Sequence, residues 1–174
     1  DFSCALLSAE GTLITSAPHI PVHLGALGVC VRETMKRFSP QPGDTFITNH
    51  PAFGGSHLPD ITLITPVFDD QKGLLGFVAN RAHHAEIGGI SPGSMPAHAT
   101  RLEQEGTIIL PRYLTKSGEA LWSEISDLFT SGPHPTRNLA DNMADLHAQL
   151  AANRLGSERL QTLAGANSCP LRSA

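Results

Sequence analysis

The sequence predicts an α+β domain: a mixed or antiparallel sheet with flanking helices and long Gly/Pro-rich loops. Three observations carry this. Two apolar runs, residues 61–68 and 74–80, flank the charged turn Asp69-Asp70-Gln71-Lys72-Gly73 and read as neighbouring strands of a hairpin. Apolar residues recur at helical spacing over 22–38 and again over 137–155. Between and beside these elements lie polar segments dense in His, Gly and Pro, which suit rigid loops better than regular structure.

In chain order, residues 2–7 and 12–15 form a first hairpin around Gly11. Asp1 already stands at the edge of an apolar run, so we expect sequence upstream of it. Pro21 suits the first turn of a helix whose apolar positions are Leu24, Leu27, Val31, Met35 and Phe38, ending near Pro40. His19 and His23 are four apart, but Pro18 and Pro21 oppose a regular helix through His19. We read both as helix-start histidines bonded to nearby backbone. A strand covers 45–48 and opens into the loop Asn49–Asp60. Both hairpin runs, 61–68 and 74–80, are almost continuously apolar, as in strands buried on both faces.

Residues 90–96 form a turn-rich loop with two prolines, and 107–110 a further strand. Residues 113–121 read as strand and turn, and 128–135 as irregular. Thr136 is an N-cap candidate for the last helix, with Leu139, Met143, Leu146 and Leu150 as its apolar positions. Asn138, Asp141, Asn142 and Asp145 form its polar side, by default a solvated face, with an interface to the rest of a larger protein as the alternative. Periodicity fades after Gly156, and residues 164–174 read as a disordered tail.

With 174 residues, 40% hydrophobic and 16% charged, the chain can bury a core and is not a disordered polymer. A net charge of -4 and the lack of any basic run argue against nucleic acid as a partner. No apolar run reaches a membrane span in length, and no signal-peptide pattern opens the chain. Cys4, Cys30 and Cys169 are odd in number and widely spaced, which reads as reduced thiols in a cytoplasmic setting.

The chemistry gathers around the central hairpin. His57 and Asp60 close the loop before its first strand, and His83, His84 and Glu86 follow its second. Adjacent strands are ~4.8 Å apart, so these side chains can reach one ion. Imidazole and carboxylate together form a divalent-metal ligand set suited to Mn²⁺, Zn²⁺ or Fe²⁺ rather than Ca²⁺. Neighbours in an extended segment point to opposite sides, so His83 and His84 remain alternatives on this reading. The second histidine, or Glu86, would orient a ligand or act as general base. Gly54 and Gly55 predict a bent segment whose amides can receive an oxyanion. Glu103 and Glu105 offer further ligands or a general base, with a solvated acidic turn the simpler account of at least one of them.

These motifs resemble the hydantoinase B family. The resemblance is carried by Asn49-His-Pro-x-x-Gly-Gly-Ser-His-Leu-Pro-Asp60, Ala79-Asn-Arg-Ala-His-His-Ala-Glu-Ile-Gly-Gly89, Pro92-Gly-Ser-Met-Pro96, Gln104-Glu-Gly106 and the stretch from Arg137 to Asn153. The openings Asp1–Ala5 and Ala17–Ala26 most resemble the 5-oxoprolinase branch; the N-methylhydantoinases and the ketone carboxylases supply other branches. The resemblance implies ATP-dependent hydrolysis of a cyclic amide, 5-oxoproline or a hydantoin. A hydantoinase A-like ATPase domain or subunit would use the ATP and phosphorylate the substrate oxygen. It further implies a metal held by His57, Asp60 and one of His83 or His84, and an oligomeric full enzyme. Hydantoinase B-type proteins are several times longer. The chain is therefore expected to be a partial hydantoinase B-type domain over 1–163, inactive alone, with apolar surface open on the last helix. Two other readings stand beside hydrolysis: a metal-stabilised docking module, and a component of an ATP-dependent ketone carboxylase.

Overall fold

The computed structural model describes residues 2–17, 20–93 and 95–166. Seven strands form one antiparallel sheet in the order β2-β1-β5-β4-β3-β6-β7. They are β1 (Phe2–Ser8), β2 (Leu13–Ala17), β3 (Thr45–Thr48), β4 (Asp60–Phe68), β5 (Leu74–His83), β6 (Arg112–Lys116) and β7 (Glu119–Ala120). Helix α1 (Pro21–Met35) lies on one face, and α2 (Trp122–Thr130) and α3 (Leu139–Ala166) on the other. The α+β class and the central β4–β5 hairpin agree with the sequence reading.

Side-chain alternation sorts β4 and β5 between the two faces. Ile64, Phe77 and Ala79 point to α1 and meet Leu27, Cys30 and Val31. Ile61 and Leu63 point the other way and meet Leu146, Leu150 and Phe129. The hairpin turn is tied by Asp69, whose Oδ1 accepts from the Gln71 and Gly73 amides at 2.9 and 2.7 Å. It is the side chain that fits an Asp at the head of a tight turn.

Helix α3 departs from a simple apolar stripe. Leu146 and Leu150 are buried, and Leu139 and Met143 pack partly buried against the same core, so the expected open apolar face does not lie there. Leu155 and Leu163, further along α3, are exposed. Asn142, expected on a solvated side, is buried, as are Gln149 and Asn153. Their amides are satisfied within the protein. Gln149 Nε2 donates to Ile61 O and Asn80 Oδ1, and Asn153 Nδ2 donates to Thr65 Oγ1. A buried amide survives only with such partners.

Three elements differ from expectation. Helix α2 covers residues 122–130 and so overturns the irregular reading only at 128–130. Its apolar positions Trp122, Ile125, Leu128 and Phe129 do follow helical spacing, but over fewer than three turns, too short a run to stand out in the sequence. Residues 107–110 are not a strand; the side chain of Asn49 and the carbonyl of Ile87 take the amides of Ile109 and Thr107 instead. Helix α3 runs to Ala166, past its expected end. His19, Ser94 in the 90–96 loop, and residues 167–174 of the expected tail lie outside the described residues. Among the described residues no helix is long and apolar enough to cross a membrane.

Candidate metal centre

The site grows from the register of β4 and β5. Asp60 is the first residue of β4 and stands opposite His83, the last of β5. Both lie on the α1 face, two residues before Thr62 and two after Arg81, which also pair. His57 reaches the same place through a tight turn in which the Asp60 amide donates to the His57 carbonyl at 3.0 Å.

Asp60 is the hub. His83 Nδ1 lies 3.0 Å from Asp60 Oδ1, and His57 Nδ1 lies 2.8 Å from Asp60 Oδ2. A third imidazole arrives from α1, with His23 Nε2 3.2 Å from Asp60 Oδ2. The carboxylate is 2% exposed, whereas the side chains of His57 and His83 are 23% and 26% exposed. The cluster therefore opens to solvent through these two rings, whose centroids are 5.0 Å apart. Burial acts to raise the Asp60 pKa. The hydrogen bond from His83, the charge of His57 and the contacts of His23 outweigh it and hold the carboxyl below the usual range. Burial pushes the His23 imidazole down, against the pull of Asp60.

His57, Asp60 and His83 offer ligand atoms that all lie within 4.8 Å of one another. The fit to a cation has a second sign. His57 Nδ1 is buried and, though close to Asp60, has no hydrogen-bond partner in proper alignment. Such an orphaned nitrogen is the group a cation would satisfy. Two imidazoles and one carboxylate match a divalent transition ion and leave coordination positions free for water or substrate.

The other expected site residues stand elsewhere. His84 lies on the opposite face, wholly buried, with Nδ1 2.9 Å from Asn142 Oδ1 and Nε2 3.0 Å from Gln149 Oε1. Both ring nitrogens are occupied by α3, so His84 takes no part in the cluster. Glu86 turns to the start of α3. Its oxygens accept from the Thr136 hydroxyl, the Gly88 and Arg137 amides and the Arg137 guanidinium. These bonds outweigh partial burial and keep its pKa low. In this arrangement it ties the segment after β5 to the start of α3. The Gly54 and Gly55 amides do not form an open nest either, because they donate to Pro51 O and His50 O in a short 3-10 turn. Glu103 and Glu105 belong to another 3-10 turn and are absent from the group of ligand atoms around Asp60.

Several site residues carry no clear signal in the sequence. Arg81 is fully buried; Nε donates to Thr62 Oγ1, Nη1 to Ser56 Oγ and Nη2 to Gly54 O, at 2.8, 2.9 and 2.6 Å. It ties the loop that delivers His57 to the sheet. Burial lowers the Arg81 pKa and raises the neighbouring Cys30 thiol to about 11. Asn49 holds the loop from the other side, donating to Leu58 O and Thr107 O. His23 is legible in one respect: with Leu27, Cys30, Val31 and Thr34 it falls on a single helical stripe, the buried one.

The profile described as Hydantoinase B/oxoprolinase matches residues 1–169, and the chain belongs to that family. It is 46% identical to 5-oxoprolinase of Saccharomyces cerevisiae over 171 residues, and 47% identical to 5-oxoprolinase 1 of Arabidopsis thaliana over 173. These alignments take in 94% of this chain but span only 13% and 14% of the two relatives. Among solved structures, ATP-dependent caprolactamase from Pseudomonas jessenii superposes with a TM-score of 0.78, at 30% identity, over 94% of this chain and 28% of that one. Nucleotide-free acetone carboxylase gives a TM-score of 0.83 at 20% identity, over 95% of this chain and 22% of that one, and shows the shared fold.

Proposed function

We propose that this chain is part of an ATP-dependent cyclic-amide hydrolase of the 5-oxoprolinase type, and that His57, Asp60 and His83 hold a divalent cation where a phosphorylated lactam is opened. The observation that carries this reading is the convergence of those three ligands at a solvent-facing end of the sheet. Identities of 46% and 47% to two 5-oxoprolinases support the lactam as substrate class, with glutamate as product.

A lactam carbonyl is a poor electrophile. Phosphorylation of its oxygen, by a hydantoinase A-like ATPase domain or subunit, would make the carbon attackable and provide a leaving group. A bound divalent cation supplies positive charge for substrate oxygens and makes water more acidic. Asp60 contributes a fixed negative charge from beneath. His57 and His83 form the exposed rim at which substrate and water meet that charge. Arg81 and Asn49 keep the His57 loop from moving during the reaction. His84 and Glu86, both fully engaged with α3 and its start, act by holding the end of β5.

A docking module is the second reading, and one observation favours it: three imidazoles already surround Asp60, so the cluster can tie loops together without an ion. The test is His57→Ala in the full-length protein with its ATPase partner, assayed for 5-oxoproline-dependent ATP use and for glutamate. Retained folding with lost glutamate formation supports hydrolysis at this site. Unchanged glutamate formation supports docking. Bicarbonate-dependent carboxylation of a ketone in the same assay would move the chain to the carboxylase branch.

A further inference from the structure

We infer that His23, itself held by Ser3, is a positioning residue that sets the orientation of the Asp60 carboxylate. This rests on the proposed metal site. His23 comes from α1 and Ser3 from β1, so neither is a sequence neighbour of Asp60. Both are nearly excluded from solvent, at 1% and 2% exposure. His23 Nε2 lies 3.2 Å from Asp60 Oδ2 and His23 Nδ1 lies 2.9 Å from Ser3 Oγ.

The direction of the chain follows from hydrogen-bonding capacity. An ionised carboxylate only accepts, so His23 Nε2 carries the hydrogen. In a neutral imidazole Nδ1 is then bare and can only accept, so the Ser3 hydroxyl donates to it. The order is Ser3 to His23 to Asp60. The register fixes the first member: Ser3 stands opposite Arg81 on β5, and Arg81 is two residues before His83. Ser3 is buried and serves as a donor, not as a nucleophile.

His23 differs from His57 and His83 in where it stands. It lies beneath the carboxylate, away from solvent, and it falls outside the group of mutually close ligand atoms. Its bond occupies Oδ2 from below and turns the remaining lone pairs toward the two exposed rings. Partners of this kind tune metal affinity without touching the metal, and their loss costs about 10–100-fold.

The test is Mn²⁺ titration by calorimetry on the full-length protein. The series is wild type, His57→Ala, His23→Leu, His23→Gln and Ser3→Ala, with Mn²⁺ electron paramagnetic resonance spectra of each. His23→Leu is expected to weaken Mn²⁺ by about 10–100-fold with one site retained and an altered spectrum. His23→Gln places an amide donor near the position of Nε2 and is expected to restore most of the affinity and the wild-type spectrum. Ser3→Ala is expected to give a smaller loss, and it carries the test where His23→Leu does not fold. Wild-type affinity in both His23→Leu and Ser3→Ala overturns the inference, as does His23→Gln binding no better than His23→Leu. If wild type binds no Mn²⁺, or His57→Ala binds as well as wild type, the metal reading fails and this inference falls with it. Loss in His57→Ala alone overturns only the role of His23.

Discussion

Asp60 and His83 stand directly opposite each other at the ends of β4 and β5, with His83 Nδ1 3.0 Å from Asp60 Oδ1. This pairing is a property of register. A slip of one residue would send Asp60 to the α3 face and leave His83 without it. The register is held by a turn built on Asp69 and by nearly unbroken apolar side chains on both faces. The site is therefore placed by the most constrained part of the sheet, and its weaker component is the loop that brings His57.

That loop yields the first prediction. A Cβ on Gly55 would stand 2.3 Å from the Asn49 carbonyl oxygen and 2.9 Å from two further backbone carbons. Backbone cannot rotate aside, so the turn must shift. Gly55→Ala is expected to cost about 1–3 kcal/mol in urea unfolding and to weaken metal binding by moving His57. Gly25→Ala, in α1 with nothing within 4 Å of the added carbon, is the control. It should be neutral or stabilising by up to about 1 kcal/mol.

Arg81 yields the second. Its three donors satisfy Thr62, Ser56 and Gly54 together, a fork that a lysine ammonium cannot span. Arg81→Lys is expected to cost about 2–4 kcal/mol in urea unfolding, since buried acceptors lose their partners. The signature is that Arg81→Lys and Arg81→Met lose nearly the same amount. A Lys variant as stable as wild type would show that charge alone suffices there.

How far sequence reveals this site follows from which contacts are local. His57 and Asp60 are three apart, and His83 is joined to them by one hairpin, so apolar runs and a charged turn are enough to bring the three together. Alternation also separates His83 from His84. It does not say which of the two meets α3, because that is decided by Asn142 and Gln149, 58 and 65 positions from His84. The carboxylate of Glu86 looks unengaged in the sequence for the same reason: its guanidinium partner, Arg137, is 51 positions away. The Gly54 and Gly55 amides look free because a Gly-Gly pair says nothing about which carbonyls fold back onto it. His23 reads as a local helix-start residue because its two partners lie 20 and 37 positions away.

Glu86 gives a pH prediction. Its folded pKa is lowered from 4.5, so between the folded and unfolded values the unfolded chain binds more protons than the folded one. The stability it contributes is therefore complete above the unfolded pKa and is lost as pH falls through the folded one. Glu86→Gln should lower Tm at pH 7, and the gap to wild type should narrow as pH falls from about 6 to about 3. A gap that stays constant over that range would show that the Glu86 charge is not what latches α3.

The central claim is that His57, Asp60 and His83 hold a divalent cation. The most direct measurement is elemental analysis by mass spectrometry of the full-length protein after dialysis, comparing wild type with Asp60→Ala. The account predicts about one equivalent of Mn, Zn or Fe per wild-type chain and almost none in a folded Asp60→Ala variant. Equal metal content in the two, or none in wild type after reconstitution with each ion, would contradict it.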